Sequence, residues 1–390
     1  MNTNFKNISL CLLFFFLIIG LIFYRGPCFL TEGIFEINEY QFYKYSKENG
    51  ILKGLIFIYP GAGYFKLWTN IANAAASPFS IDTAKIITSY FSLTIYLLIF
   101  VYIFFFKSLL FLNIKHKIFA IFVILFSPVM TPEIWMGSAH IREYFGIFAF
   151  ILLFYDSKNE SLPKKFICNI LIIISFLSSV WAIVLTPIYF MKFYFYKNKD
   201  NLIFFISSFF SSLIHPIIII YTYFLNPVST GRFQIEMSKI YSFLYNVPVR
   251  SFFGSTIPKF LFLESKLIEL KYFNFVILII FIFLIIFLLF YIIKKKDLIL
   301  NLIIASFVFI SIFSLIGSLY SNFAGGRYAV IPGVILIFFV YRIFIIEKNL
   351  LLKGITGTLL FTSLMVGLIE FKYKSPMPKL LNCSYYETYE

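Results

Sequence analysis

The chain has 390 residues, of which 61% are hydrophobic and only 13% are charged, and 55 of them are phenylalanine. This composition excludes an ordinary soluble domain and is typical of a polytopic membrane protein. The formal net charge is +15. Most of it follows lysines in short loops between apolar segments, as expected of cytoplasmic loops, so no nucleic-acid partner is expected.

About eleven apolar segments are long enough to cross a bilayer, because a spanning helix needs about 20 mainly apolar residues. Their apolar runs lack the two-residue alternation of a transmembrane barrel, so the predicted fold class is all-α. The short pairs at 118–156 and 164–195 are either full spans or half-inserted hairpins. In chain order the predicted segments are 8–24, 84–106, 118–132, 142–156, 164–178, 181–195, 201–225, 273–293, 298–319, 328–346 and 354–371.

Lysines in the short loops predict the orientation. The first segment, 8–24, is followed by "FYRGPC", which offers no small-x-small cleavage site, so we interpret it as a retained span. With the N-terminus in the cytoplasm, five short loops lie inside, and each has at least two lysines, as the positive-inside rule requires. These loops are 107–117, 157–165, 192–200, 294–297 and 347–353. The prediction is a multi-pass integral membrane protein, with 1–390 as a single membrane-embedded domain.

The first long outer segment is 25–83, and it opens with "TEGIFEINEYQFYKYSKENG". Read as a helix, this stretch places Glu32, Glu36, Glu39 and Tyr43 on one face. The face is a candidate acid/base surface, and we expect interfacial helices in this segment. Its aromatic side chains form either an interfacial belt or a floor on which a carbohydrate stacks.

Two further outer loops concentrate charge. The loop "SPVMTPEIWMGSAHIREYFG" contains His140, Arg142 and Glu143, and "YSNFAGGRYAVIPG" delivers Arg327 at the start of a span. Carboxylates near apolar surface have a raised pKa and suit general-base catalysis, while the arginine fork binds phosphate. The alternatives are a salt bridge between Arg142 and Glu143, and snorkelling of Arg327 to lipid headgroups.

The second long outer segment, 226–272, is basic and includes Arg232 and Arg250. It either attracts an anionic lipid or lipid-linked glycan or forms an amphipathic helix on the headgroups. The sequence has no GxxxxGK[ST], GxGxxG, HExxH, CxxC or GxSxG motif, so it predicts neither a nucleotide cradle nor a metal site of those types.

The order of these elements resembles the GT-C superfamily of membrane glycosyltransferases. The resemblance rests on "EINEYQFYKYS", whose Glu36 and Glu39 match the family's acidic positions, and on "SAHIREYFG" with Glu143. It also rests on the paired short helices 164–195 and on the late "RY" that opens a span. The family usually has Asp in the first loop where this chain has Glu-x-x-Glu, so the base is Glu36 or Glu39, with Glu32 also open.

The resemblance implies inverting transfer from a polyprenyl-phosphate-linked sugar to an acceptor glycan, lipid or protein on the outer face of a bacterial inner membrane, in the making of a cell-envelope polysaccharide. A carboxylate would deprotonate the acceptor while Glu143 acts as second acid or positions the acceptor. No cofactor is certain, and a divalent cation is left open. The expected lipid-phosphate and substrate-binding residues are Arg327, Tyr328, His140, Arg142, Tyr43, Arg232 and Arg250.

Two other functions stay open at this point. The stretch "HIREYFGIFAFILLFY" also resembles the arginine-bearing segment of Wzy-type polysaccharide polymerases, with 226–272 as their large outer loop. A lipid-linked glycan flippase or transporter is the alternative from another class. Such proteins have ionisable residues at mid-membrane, and the best candidate here is His215 before Pro216, which we interpret as a hydrogen-bonded packing residue.

Overall fold

The structure is a computed structural model, and the regular secondary structure of its described residues is helical, with one isolated bridge between Ser108 and Tyr155. This confirms the all-α class. Contacts divide the described chain into two units, the first with residues up to 117 and 141–225, and the second with 118–128 and 237–373. The described residues are 3–25, 31, 33, 37–59, 64–128, 141–225, 237–254, 279, 283, 286–287, 290–291, 296–319 and 327–373.

The first unit contains the N-terminal helices. A 3₁₀ helix, Val180–Leu185, joins α8 to α9, because Ser179 is extended and interrupts the α-helix. Helix α6 begins in the first unit and continues into the second. The helices are α1 (Thr3–Arg25), α2 (Ile37–Asn49), α3 (Ile51–Leu55), α4 (Leu67–Ala76), α5 (Ile81–Phe105), α6 (Ile114–Phe126), α7 (Arg142–Leu153), α8 (Leu162–Ser178), α9 (Thr186–Tyr196) and α10 (Lys199–Leu225).

The second unit is built around a buried helix that begins directly after a short 3₁₀ turn at Arg327–Ala329. All of its residues from Val330 to Ile343 are buried. The helices of this unit are α11 (Met237–Phe253), α12 (Leu298–Leu319), α13 (Val330–Ile346) and α14 (Leu350–Tyr373), and α13 contacts each of the other three.

Four helices within the described residues are long and apolar enough to cross a membrane: Ile81–Phe105, Lys199–Thr222, Leu298–Gly317 and Leu350–Glu370. Shorter apolar helices accompany them at Ile8–Leu21, Val180–Tyr196 and Val330–Ile346. These helices indicate a helical membrane protein, and they do not confirm a count of about eleven spans.

The predicted apolar segments coincide with helices wherever the structure describes them. Each overlaps a helix except 273–293, which lies largely outside the described residues. Helices α6 and α7 have only 13 and 12 residues, fewer than the about 20 that a span needs. Neither of these two helices alone reaches that length.

Three of the lysine-rich loops meet at one end of the first unit. The Leu109 backbone N–H donates to the Phe154 carbonyl at 2.8 Å, and the Asp156 N–H donates to the Lys107 carbonyl at 3.0 Å. Lys165 forms an ion pair with Asp200 at 2.8 Å. Loops 107–117, 157–165 and 192–200 therefore lie on one side of this unit, as the orientation argument requires of them.

Lys117 belongs to this group of loops and donates a hydrogen bond to a backbone carbonyl at the C-terminal end of α5. Its Nζ donates to the Phe104 carbonyl at 2.7 Å, where the carbonyls of a helix C-terminus need donors. Burial lowers the pKa of Lys117, and the nearby charge of Lys164 lowers it further.

The described part of the predicted first outer segment forms the three short helices α2, α3 and α4, while Glu32 and Glu36 of the expected face lie outside the described residues. Gly33 lies outside a helix with φ of 68°, which favours glycine. A Cβ on Gly33 would lie 2.2 Å from the carbonyl carbon of Lys85 in α5. A helix from Glu32 is therefore interrupted at Gly33, and α2 is described over Ile37–Asn49.

Candidate functional site

At the other end of the first unit, its two predicted outer segments meet. The Trp68 backbone N–H in α4 donates to Ser178 Oγ at the end of α8, at 3.2 Å. The Trp68 ring lies against Phe145 of α7, with centroids 5.7 Å apart. The N-terminal turn of α7, which contains Arg142 and Glu143, thus lies at the same end as the first outer segment.

Glu39 is fully buried in α2. It lies one turn before Tyr43, which is also buried and packs on Ala76 and Ala84. A carboxylate can accept a proton from a substrate hydroxyl within hydrogen-bond reach, so Glu39 stays a candidate general base. Among the described acids of the predicted first outer segment, Glu39 is buried, whereas Glu48 and Asp82 are exposed.

Tyr43, expected to bind substrate, has its hydroxyl engaged within the fold. The hydroxyl donates to the Phe79 carbonyl at 2.8 Å and accepts from Lys47 Nζ at 2.8 Å. These bonds fix α2 to the turn between α4 and α5. Tyr43 therefore stabilises the packing of α2 against this turn.

Arg142 and Glu143 form the ion pair that the sequence left open as an alternative. Arg142 Nε lies 3.0 Å from Glu143 Oε1, and the two side chains are 10% and 0% exposed. Taking both charges out of water costs free energy, and their attraction offsets this cost only when the geometry is good. Glu143 also lies in the first turn of α7, where the helix dipole favours a negative charge.

Tyr64 lies at the centre of three basic groups. Its ring centroid is 5.3 Å from the Arg142 guanidinium carbon, 5.5 Å from Lys66 Nζ and 6.4 Å from the His215 ring. Lys66 Nζ is also 5.4 Å from the ring of Phe42 in α2. We call Tyr64, Lys66, Arg142 and Glu143 the Tyr64 cluster.

Lys66 is the member of the cluster that the sequence analysis missed. It is only 4% exposed, although it precedes a helix in an outer segment. The signal that points to it is "KLWTNIANAAA", where Thr69, Asn70 and Asn73 are polar residues on a small helix and all three are buried. Buried polar side chains in such a helix indicate that it packs inside the protein.

The Asn70 side chain holds α4 in place through two hydrogen bonds. Its Nδ2 donates to the carbonyls of Leu55 and Phe57, at 3.0 and 2.9 Å. These bonds tie α4 to the end of α3, and they fix the segment that leads to Tyr64 and Lys66.

His215 packs as predicted. It is fully buried in α10, and its Nε2 lies 2.6 Å from the Phe176 carbonyl. Its ring approaches Tyr64 from the side of α10, so it borders the cluster.

The second unit contains the predicted residues Arg250, Arg327 and Tyr328. Arg327 begins the 3₁₀ turn before α13, Tyr328 is half-buried, and α11 with the half-buried Arg250 packs against this turn. The same unit has a buried carboxylate that the sequence analysis missed, Glu370 near the end of α14. Its Oε1 would lie 2.4 Å from a Cβ on Gly254.

Several predicted residues lie outside the described residues, namely Glu32, Glu36, His140 and Arg232. Within the described ranges no three His, Cys, Asp or Glu side chains are placed to hold a metal ion.

Comparison with protein-family models, with curated proteins and with solved structures finds no match to this chain.

Proposed function

We propose that this chain is a membrane glycosyltransferase of GT-C type. It would transfer a sugar from a polyprenyl-phosphate-linked donor to an acceptor glycan, lipid or protein on the outer face of a bacterial inner membrane. The observation that carries the proposal is the Tyr64 cluster together with Glu39. Two outer segments, far apart in sequence, bring buried acids and buried basic groups to one end of a membrane protein.

The chemistry requires an acid and a cation in different roles. The acceptor hydroxyl oxygen attacks the anomeric carbon, and its proton passes to a carboxylate. The bond from that carbon to the phosphate oxygen breaks, and polyprenyl phosphate leaves with the electron pair. The proposal gives the proton to Glu39, with Glu36 as the other candidate base. Basic groups near the phosphate stabilise the charge that develops on it.

Arg142 and Lys66 are the basic groups that suit the leaving phosphate in the first unit. Arg142 has a planar fork that can bind phosphate oxygens bidentately, and Glu143 holds the guanidinium through its Nε. Glu143 is thus better suited to positioning Arg142 than to acting as a second acid. Arg327 and Tyr328 belong to the second unit and stay predictions from the sequence as lipid-phosphate ligands.

The test is transfer of labelled sugar from a panel of polyprenyl-phosphate donors in reconstituted vesicles. We expect Glu39→Gln to lower the rate by about 10²- to 10⁴-fold, the usual contribution of a general base. Glu48→Gln is the matched control, because Glu48 lies on the same helix and is exposed. Glu36→Gln is measured beside them.

The outcomes separate the candidates. A loss confined to Glu36→Gln would make Glu36 the base, and unchanged rates in both variants would remove the first-loop acids from the mechanism. Movement of intact donor across the vesicle membrane, with no transfer from any donor, would favour the flippase and contradict the enzyme.

A further inference from the structure

A groove in the second unit lies away from Arg327, at the opposite end of α13. Helices α13 and α14 are joined by the short loop 347–349 and pack on each other, as antiparallel neighbours do. Near this loop they leave an open groove of about 510 Å³, which is within the usual range for a small-molecule site. It is lined by Phe344, Leu350, Lys353, Gly354, Gly357, Thr358 and Phe361.

Glycines form the floor of the groove. A Cβ on Gly354 would meet no atom within 4 Å, whereas a Cβ on Gly357 would lie 3.2 Å from the Phe344 ring. The space above Gly354 is therefore open. The walls are apolar, and Leu350 and Phe361 are 85% and 65% exposed.

The helix that carries the groove is suited to face lipid. Leu350–Glu370 is long and apolar enough to span a membrane, yet only 22% of its most apolar window is buried within the protein. An apolar groove on such a surface is filled by acyl chains when the protein is in a bilayer.

The charge at the mouth of the groove is positive. Lys353 Nζ lies 5.5 Å from the Phe344 ring centroid and forms no ion pair with a described residue. The nearest acid in the loop, Glu347, is buried and accepts hydrogen bonds from the Tyr291 hydroxyl at 2.6 Å and the Lys348 N–H at 2.8 Å. Lys348 adds a second exposed cation.

The other charges nearby are engaged. Asp297 pairs with Arg342 at 2.7 Å. The N-terminus of α14 is capped by Asn349 Oδ1, which accepts from the Leu351 and Leu352 N–H groups. An anion at the groove would therefore be recognised by the lysine side chains rather than by the end of the helix.

We propose that this groove binds an anionic glycerophospholipid of the predicted cytoplasmic leaflet. One acyl chain lies over Gly354 and along Phe361, and the phosphate contacts Lys353, with Lys348 beside it. Loop 347–353 is one of the loops that the positive-inside rule places in the cytoplasm. Basic pockets between membrane helices on that side are suited to acidic headgroups. The inference is independent of glycosyl transfer.

The test uses the full chain, delipidated in detergent and titrated with phosphatidylglycerol or phosphatidylcholine, with bound lipids counted by native mass spectrometry. We expect Lys353→Gln to weaken phosphatidylglycerol binding about fivefold, the effect of one basic group at an anionic surface. Lys353→Arg should retain it. Gly354→Leu should remove one bound lipid of either kind, and its side chain has room in the folded protein.

Lys199→Gln is the matched control. Lys199 is exposed in the first turn of the apolar helix α10 and belongs to another predicted cytoplasmic loop. The proposal is overturned if Lys199→Gln weakens binding as much as Lys353→Gln, or if all variants bind phosphatidylglycerol like the wild type. It is also overturned if Gly354→Leu keeps the lipid but turns a dimer into a monomer, since the groove would then join two copies of the chain.

Discussion

Removing one member of the Arg142–Glu143 pair should destabilise the protein strongly. At the observed 3.0 Å and an effective dielectric constant of about 20, the attraction is ~5.5 kcal/mol. Desolvation of both groups offsets much of it, so the net value of the pair is small. Breaking a buried pair by removing one partner nevertheless costs about 3–5 kcal/mol, because the other charge is left uncompensated. Both side chains are shielded, so screening by salt should weaken the effect little.

The measurement is the free energy of unfolding of the purified protein in mixed micelles, by reversible titration with a denaturing detergent. We expect Arg142→Met and Glu143→Leu each to lower it by about 3–5 kcal/mol, and the double variant to return to within about 1 kcal/mol of the wild type. Asp82→Asn is the control, because Asp82 pairs with Lys85 at 3.3 Å while 84% exposed. We expect no measurable change there.

A double variant as unstable as the sum of the two single variants would refute this reasoning. It would mean that each charge is stabilised by a different neighbour, and that the 3.0 Å contact is incidental to both.

Two further predictions concern the fold. Gly33→Ala should lower the melting temperature, because φ is 68° and a Cβ would lie 2.2 Å from Lys85. Gly20 lies in a helix, and a Cβ there would meet no atom within 4 Å. Gly20→Ala should therefore leave the melting temperature unchanged or raise it. Asp297 accepts from a first-turn N–H of α12 at 2.9 Å and pairs with Arg342 at 2.7 Å. Asp297→Asn should retain the cap and Asp297→Ala should lose it, so unfolding titrations should separate them by about 1 kcal/mol, and equal stabilities would exclude a capping role.

Helix type and position were predictable from the sequence because long apolar runs admit few other structures. The grouping of loops 107–117, 157–165 and 192–200 was predictable for a different reason. Lysine placement records the side of the membrane on which a loop lies, and it does so without any knowledge of packing. The span count was not predictable, since a run of 12 or 13 apolar residues fits a core helix as well as part of a span.

The helical face from Glu32 to Tyr43 shows where periodicity fails. Spacing at i, i+4 and i+7 presumes that the helix continues, and one glycine with positive φ ends it. The close approach of Gly33 to α5 is a tertiary contact. The residues of "TEGIFEINEY" alone do not reveal this contact. The sequence therefore suggested a continuous helix where the fold has a break at Gly33.

Among the described residues of the candidate site, Glu39, Arg142 and Glu143 were picked out from the sequence, whereas Lys66 was not. Glu39 and Glu143 stand out in the sequence because carboxylates are rare in this chain. The structure shows that both are fully buried. Lys66 did not stand out, because one lysine in an outer loop is ordinary. Its place in the site depends on Tyr64, two residues before it, and on the Phe42 ring, which only the fold brings to it.

The Tyr64 cluster favours function over a purely structural salt bridge. A salt bridge alone accounts for Arg142 and Glu143, but apolar residues of similar volume would do the same at no desolvation cost. Lys66 adds a second buried basic side chain beside the same ring, in a membrane protein, where buried charges are expensive. In the proposed transfer, Arg142 and Lys66 would stabilise the anionic leaving group and Glu39 would accept the proton.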